Sequence, residues 1–171
     1  MVEHSTNCYD RPMTEEAGVW LTPVQRRAWV TFVLASGSVM DSLDRRLQRE
    51  AGINRSHFSI LQFVSMANGT ARMSDVAAGL RFSPSRLSHA VARLERDGWV
   101  ERRPDPADGR GQLVTITAFG EQRIQEIAPR HIADVRAQVF DHLTDEQVAQ
   151  LQEICDALLA GVDAGGGGEP T

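Results

Sequence analysis

The sequence predicts a mainly α fold with one small β-hairpin, an α+β arrangement in which long helices flank a compact middle. Two observations predict it. Helix signals, each a capping residue followed by apolar residues three and four apart, recur along most of the chain. Only two strand-like runs interrupt them, Trp99–Val100 and Leu113-Val114-Thr115-Ile116-Thr117, on either side of the turn-forming segment PDPADGRG.

Residues 1–20 are polar and mixed, and read as a mobile arm or one that orders on a partner. Thr22-Pro23-Val24-Gln25 is a capping box with proline at the first helical position. It opens a helix expected over 22–48, with Val24, Ala28, Phe32, Val39, Leu43 and Leu47 as its stripe and Trp20 and Trp29 beside it. Asn54 caps a second helix carrying Phe58, Leu61, Phe63, Val64 and Met66, which Asn68-Gly69 ends. Ser74 is expected to cap a short third helix, Asp75 to about Leu80, with Val76, Ala77 and Leu80 inward.

After the turn Arg81-Phe82, Ser83 caps a fourth helix and Pro84 suits its first position, where an N–H has no helical partner. Leu87, Val91 and Leu94 form its inner stripe, and Gly98 stops it. Short helix, tight turn, second helix is a helix-turn-helix. The hairpin behind it, with Arg110 expected at a long tip, makes the layout a winged helix.

Thr117 then caps a long helix reaching about His142, with Phe119, Ile124, Ile127, Ala128, Ile132, Val135 and Val139 inward. Pro129 removes a helical hydrogen bond and is expected to kink this helix near 124–128 without splitting it. Thr144-Asp145-Glu146-Gln147 is a second capping box. It opens a last helix with Val148, Leu151, Cys155, Leu158 and Val162 on one stripe, before a glycine-rich tail from Gly165. The expected division is an arm at 1–20, one domain at 21–162 and a flexible tail at 163–171. Within the domain, about 53–117 is the winged helix-turn-helix, and about 22–48 and 118–162 are dimerisation helices. Their stripes exceed what so small a core covers, and a two-fold dimer is the commonest solution.

Composition bounds the function. A chain of 171 residues with 42% hydrophobic content suits one globular domain. No apolar run approaches the ~18–20 residues of a membrane span, and no apolar stretch follows a basic N-terminal region, so a cytoplasmic protein with no membrane partner is expected. Cys8 and Cys155 stand far apart and make neither a disulfide framework nor a metal pattern; no metal and no cofactor are expected. No H-E-x-x-H, G-x-S-x-G, P-loop or Cys-x-x-Cys occurs and the five histidines are scattered, so an enzyme is not expected. The net charge is −5, yet Arg81 to Arg110 holds seven arginines against five acids. Phosphate contact needs a local basic surface, not a basic protein.

The outer face of the fourth helix carries Ser85, Arg86, Ser88, His89 and Arg93. Short hydroxyls let a backbone come near phosphate, and Arg and His reach base edges in a major groove. The competing reading is a solvated, Arg-rich helix face.

SPSRLSHAVARLERDGWVERRPDPADGRGQLVTIT, from Ser83 to Thr117, with MSDVAAGL in front, resembles the MarR family of bacterial transcription regulators. The shared pattern is a Ser-rich helix, then Arg93-Leu94-Glu95 and Gly98, then Asp105, Asp108 and Arg110, then Ile116-Thr117. Gly109 departs from it, since many relatives have a second Arg there. The resemblance extends more loosely from about Leu21 to Leu159. It implies a homodimer with interleaved terminal helices, bound to double-stranded DNA and acting as a repressor that a small aromatic effector releases. Two recognition helices about one DNA turn apart, roughly 34–36 Å, would read an inverted repeat.

Ser85, Arg86 and His89 are then assigned to base edges, Ser83 and Ser88 to phosphate, and Arg110 to the minor groove. The resemblance makes Asp108 the brace of Arg110 and Arg93; an ion pair with an acid of its own helix is the alternative for Arg93. Trp29, Phe32, His57 and Phe58 are candidates for an effector cleft, although aromatics at helical spacing are more often core, and His57 near a helix start reads as exposed or capping. Some relatives sense peroxide through an N-terminal Cys helped by Tyr; Cys8 precedes Tyr9, the sole Tyr, and an exposed thiol without a sensory role is the favoured reading. Cys155 reads as core. The alternatives are a redox-sensing regulator using Cys8 and a winged-helix protein-interaction module that binds no DNA.

Overall fold

Both capping boxes form as the sequence indicates. Thr22 N–H donates to Gln25 Oε1 (2.9 Å) and Gln25 N–H to Thr22 Oγ1 (3.3 Å); Thr144 and Gln147 repeat the exchange at 2.9 and 3.2 Å. The structure is a computed structural model and describes residues 21–165. Trp20, Cys8, Tyr9 and the arm at 1–20 lie outside the described residues.

The elements are α1 (Pro23–Ala51), α2 (Arg55–Met66), β1 (Thr70–Arg72), α3 (Met73–Leu80), α4 (Pro84–Arg96), β2 (Val100–Asp105), β3 (Asp108–Ile116), α5 (Ala118–Gln138), a 3-10 turn (Phe140–His142) and α6 (Asp145–Gly165). The chain divides into two units, Met1–Ser38 and Val39–Thr171. In the first, Val24, Trp29 and Phe32 of α1 are exposed. In the second, Leu47, Phe58, Ile60, Leu61, Val64, Val76, Leu87, Val91, Leu94 and Val114 join one core.

Helix α4 stops as glycine at its end requires. Gly98 adopts φ 78°, Gly98 N–H donates to Glu95 O (3.0 Å) and Trp99 N–H to Leu94 O (2.9 Å), the paired bonds of a Schellman motif. Helix α3 ends on the same pair of bonds, Arg81 N–H to Ala78 O and Phe82 N–H to Ala77 O, with Arg81 at φ 52°.

The sheet is antiparallel in the order β1-β3-β2. Strand β1 was not expected. Its three residues are too short for an alternation signal, and pairing holds it: Thr70, Ala71 and Arg72 face Thr115, Val114 and Leu113, and the Thr70 and Thr115 hydroxyls lie 3.1 Å apart. Because the chain enters α3 directly from this strand, α3 starts at Met73 with Arg72 at its cap position. Ser74 is therefore no cap; its hydroxyl donates to Asp75 Oδ1 (3.3 Å).

Other expectations are corrected by packing. Ile60 enters the core while Met66 is 80% exposed, because α2 is covered on more than one side. Phe119 and Ile132 are exposed, leaving Ile124 and Ile127 as the buried residues of the α5 stripe. Helix α5 is continuous through Pro129 but ends at Gln138, short of His142. Cys155 is half-buried, not core, on a helix whose other stripe residues from Leu151 onward are exposed. Helix α1 runs to Ala51 and α6 to Gly165, three residues beyond each expected end.

Candidate nucleic-acid interface

The outer face of α4 is set by its inner one. Leu87, Val91 and Leu94 are at most 1% exposed, which fixes the helix rotation and turns Ser85, Arg86, Ser88, His89 and Arg93 to solvent. Ser83 accepts the Arg86 N–H (3.3 Å), so its hydroxyl already serves as the helix cap. Arg93 has Asp97 Oδ2 at 3.6 Å, the ion pair within its own helix that was the alternative reading.

The arginines of this region divide by partner. Arg102 donates to Glu95 Oε2 from Nε (2.9 Å) and Nη2 (2.5 Å), and its N–H reaches Glu95 Oε1 (3.1 Å). These bonds hold the Glu95 carboxyl below its ordinary value and tie the end of α4 to β2. Arg103 pairs with Glu101 (2.6 Å), and Arg81 pairs with Asp163 of α6 (2.6 Å). Arg86 and Arg96 have no carboxylate partner among the described residues. The Arg86 guanidinium instead lies over the Phe82 ring, 4.1 Å from its centroid, and Nη2 donates to Ser56 Oγ (3.0 Å).

The wing is a longer, tighter hairpin than expected. Register runs from Val100 opposite Ile116 to Asp105 opposite Asp108, so the turn is Pro106-Ala107. PDPADGRG is thus mostly strand, because β2 and β3 stay paired out to the Pro106-Ala107 turn, and Arg110 lies on β3 and not at the tip. The turn depends on Asp105, which is 5% exposed. Its Oδ1 accepts the Ala107 N–H (2.9 Å), and its Oδ2 lies 2.9 Å from Arg72 Nε, an ion pair off the line of a hydrogen bond. Asp105 is a brace that the sequence reading missed: Asp two residues before the turn's end is an Asx-turn signal, but its partner Arg72 is on a strand that was not read.

Between the start of α2 and α4 lies an open basic cleft lined by Asn54, Ser56, His57, Arg86, His89, Arg93 and Arg96. His57 is 8% exposed, which corrects its expected exposure; its N–H donates to the cap Asn54 Oδ1 (2.9 Å). Burial first, and Arg93 second, hold the His57 imidazole below its ordinary value. Phe58 points the other way, into the core at 2% exposed, with its ring 4.3 Å from that of His131. Phe58 is therefore core and not a cleft residue, because successive residues on a helix are turned by about 100°, which carries Phe58 off the cleft side. Trp29 and Phe32 are exposed on α1 with ring centroids 6.2 Å apart. Among the described residues no cluster suits a metal ion, and no helix is long and apolar enough to cross a membrane.

The sequence profile of the MarR family matches residues 51–111, from the end of α1 to the wing. The chain is 38% identical to Sco3205, a MarR family transcriptional regulator from Streptomyces coelicolor whose structure was solved in complex with DNA; the superposition covers 86% of this chain and 93% of that one, with a TM-score of 0.82. AbsC, a second MarR family regulator from the same organism, is 30% identical over 86% of this chain and 99% of its own, also with a TM-score of 0.82. The transcriptional repressor MprA of Escherichia coli is 26% identical over 120 residues, 69% of this chain and 67% of MprA.

Proposed function

The chain belongs to the MarR family of transcription regulators, and from that premise we propose that it is a homodimeric repressor which binds an inverted repeat and leaves it when a small aromatic effector binds. The observation that carries the reading is α4: a helix fully anchored on one side, with Arg86, Ser85 and His89 exposed on the other and no carboxylate on Arg86. Arg86 reads a guanine edge, with Ser85 and His89 beside it, while Ser88 and the capping Ser83 lie against phosphate. Arg110, on β3 of the wing, enters the minor groove with Asp108 as its brace, while Arg93 stays paired with Asp97. The likeness to a regulator crystallised with DNA supports the DNA partner, and the repressor MprA supports the direction of control.

Dimerisation rests on the exposed stripes of α1 and α6, which with α5 flank the winged part at about 53–117 within a domain at 21–162. Trp29 and Phe32 on α1, and separately His57 at the start of α2, are the candidate effector contacts. A cytoplasmic location and the absence of enzymatic activity follow from the regulatory role.

Selection of bound DNA from random sequence, followed by gel shifts on the recovered site, tests the reading. The expected site is an inverted repeat, with log affinity falling linearly with log salt. Arg86→Ala should lower discrimination at one base pair per half-site by about 10- to 100-fold, the equivalent of ~1–3 kcal/mol. Recovery of no enriched sequence, or binding insensitive to salt, would exclude it.

A further inference from the structure

The geometry points to Phe82 and Ser56 as positioning residues for Arg86, and through it as determinants of base specificity. The proposal rests on the reading of Arg86 as the base-contacting side chain.

Five arginines around the wing are held in two chemically different ways. Arg81, Arg93, Arg102 and Arg103 each face a carboxylate, which fixes the guanidinium and neutralises it together. Arg86 is fixed by neutral groups. Its guanidinium carbon lies over the Phe82 ring, 4.1 Å from the centroid, and Nη2 donates to Ser56 Oγ at 3.0 Å. A ring face and a hydroxyl oxygen orient a guanidinium without cancelling its charge. Four of its five N–H donors stay open, enough for the two parallel bonds that guanine O6 and N7 accept.

The two supports are themselves held. Phe82 is half-buried and packs against the core. Its N–H donates to Ala77 O (2.9 Å) in the turn that follows the left-handed Arg81, so backbone and ring share one anchor. Ser56 is half-buried in the first turn of α2, two residues after the cap Asn54. The stack comes from the turn of the helix-turn-helix and the hydrogen bond from a different helix. Together they hold the guanidinium plane at two points before DNA arrives. A long, flexible side chain that is ordered beforehand loses less freedom on binding, and its fork meets the correct base edge already aligned.

The test uses the full chain and the site recovered by selection, with each base pair of one half-site replaced in turn. Arg86→Ala first identifies the position at which discrimination disappears. Phe82→Leu keeps apolar volume but removes the ring face, and Ser56→Ala removes the acceptor. Each is expected to cut discrimination at that one position by about 3- to 10-fold, with discrimination elsewhere and the salt slope unchanged. Phe82→Tyr, which keeps the ring, should retain it. In an Arg86→Ala background, Phe82→Leu should have no further effect on that position. If Phe82→Leu and Ser56→Ala leave discrimination intact, lower affinity equally for every sequence, or act undiminished without Arg86, the positioning role is overturned while Arg86 remains the reader. If Arg86→Ala itself changes discrimination nowhere, the base-reading assignment fails and the positioning proposal fails with it. Thermal melting of each variant separates either result from unfolding, and Ser56→Ala, a small change in a half-buried helical turn, keeps the test decisive should Phe82→Leu not fold.

Discussion

Helices α4 and α6 carry apolar residues at the same period, yet they end in opposite surroundings. On α4, Leu87, Val91 and Leu94 are all but sealed; on α6, Leu151, Ile154, Leu158 and Val162 are 38% to 66% exposed. Both helices carry an apolar stripe long enough to need a partner. The difference is what lies opposite: α4 meets α2, α3 and β2 within its own lobe, whereas α6 buries none of its described residues fully. A stripe at helical spacing thus states that a helix needs a neighbour, and not whether this chain supplies it. The polar faces differ in the same way. The outer face of α4 has Arg86 set against a ring and a hydroxyl, while α6 offers mainly carboxylates and amides, including Asp163 opposite Arg81.

The largest expected effect breaks the exposed half of this comparison. Ile154→Glu combined with Leu158→Glu should convert a dimer to monomers in sedimentation at micromolar concentration, with the lobe still folded by near-ultraviolet circular dichroism. Charges trapped in an apolar interface without partners cost more than that interface returns. Unchanged sedimentation would mean that α6 is not the dimer contact.

A smaller effect sharpens the packed half. Gly120, in the first turn of α5, leaves no room for a side chain: a Cβ there would run into the Trp99 carbonyl and the Ile116 side chain. Gly120→Ala should therefore destabilise the fold by about 1–3 kcal/mol in urea titration, despite the better helix propensity of alanine. Stability equal to the parent would show that the contact between α5 and the base of the wing is loose.

The smallest concerns protons. The His57 imidazole is held neutral by burial and by Arg93, against the opposing pull of Asp97 and Asp44. Its folded value lies below the unfolded one near 6.5, so the unfolded chain binds the proton more readily. The stability this group contributes is full above about pH 6.5 and is lost as pH falls through the lower folded value. His57→Gln should flatten the fall in melting temperature between pH 7 and 5, leaving the share owed to His131, which burial lowers in the same direction. An unchanged slope would place the proton uptake elsewhere.

What could be read without coordinates was local. The two capping boxes, the Ser83 cap, the Gly98 stop and the Leu87, Val91 and Leu94 stripe depend on residues within a turn or two of one another, and each formed as its spacing implied. The candidate base-contacting face followed, because burying one side of a helix fixes what the other side shows.

Contacts across sequence were not legible. Strand β1 exists because β3 pairs with it, Asp105 meets Arg72 across 33 positions, Glu95 holds Arg102 across a turn, and Ser56 reaches Arg86 from another helix. His57 and Phe58 are adjacent in sequence, yet one lines the basic cleft and the other the core. By itself the sequence determined the capped starts of α1, α2, α4, α5 and α6, the stop of α4 and the apolar stripe of α4, since hydrogen-bond capping and a 3.6-residue period act over short range. Only the tertiary structure decided which apolar faces the chain covers, how the wing is braced and which arginines meet a carboxylate, since each depends on side chains that docking brings together from distant positions.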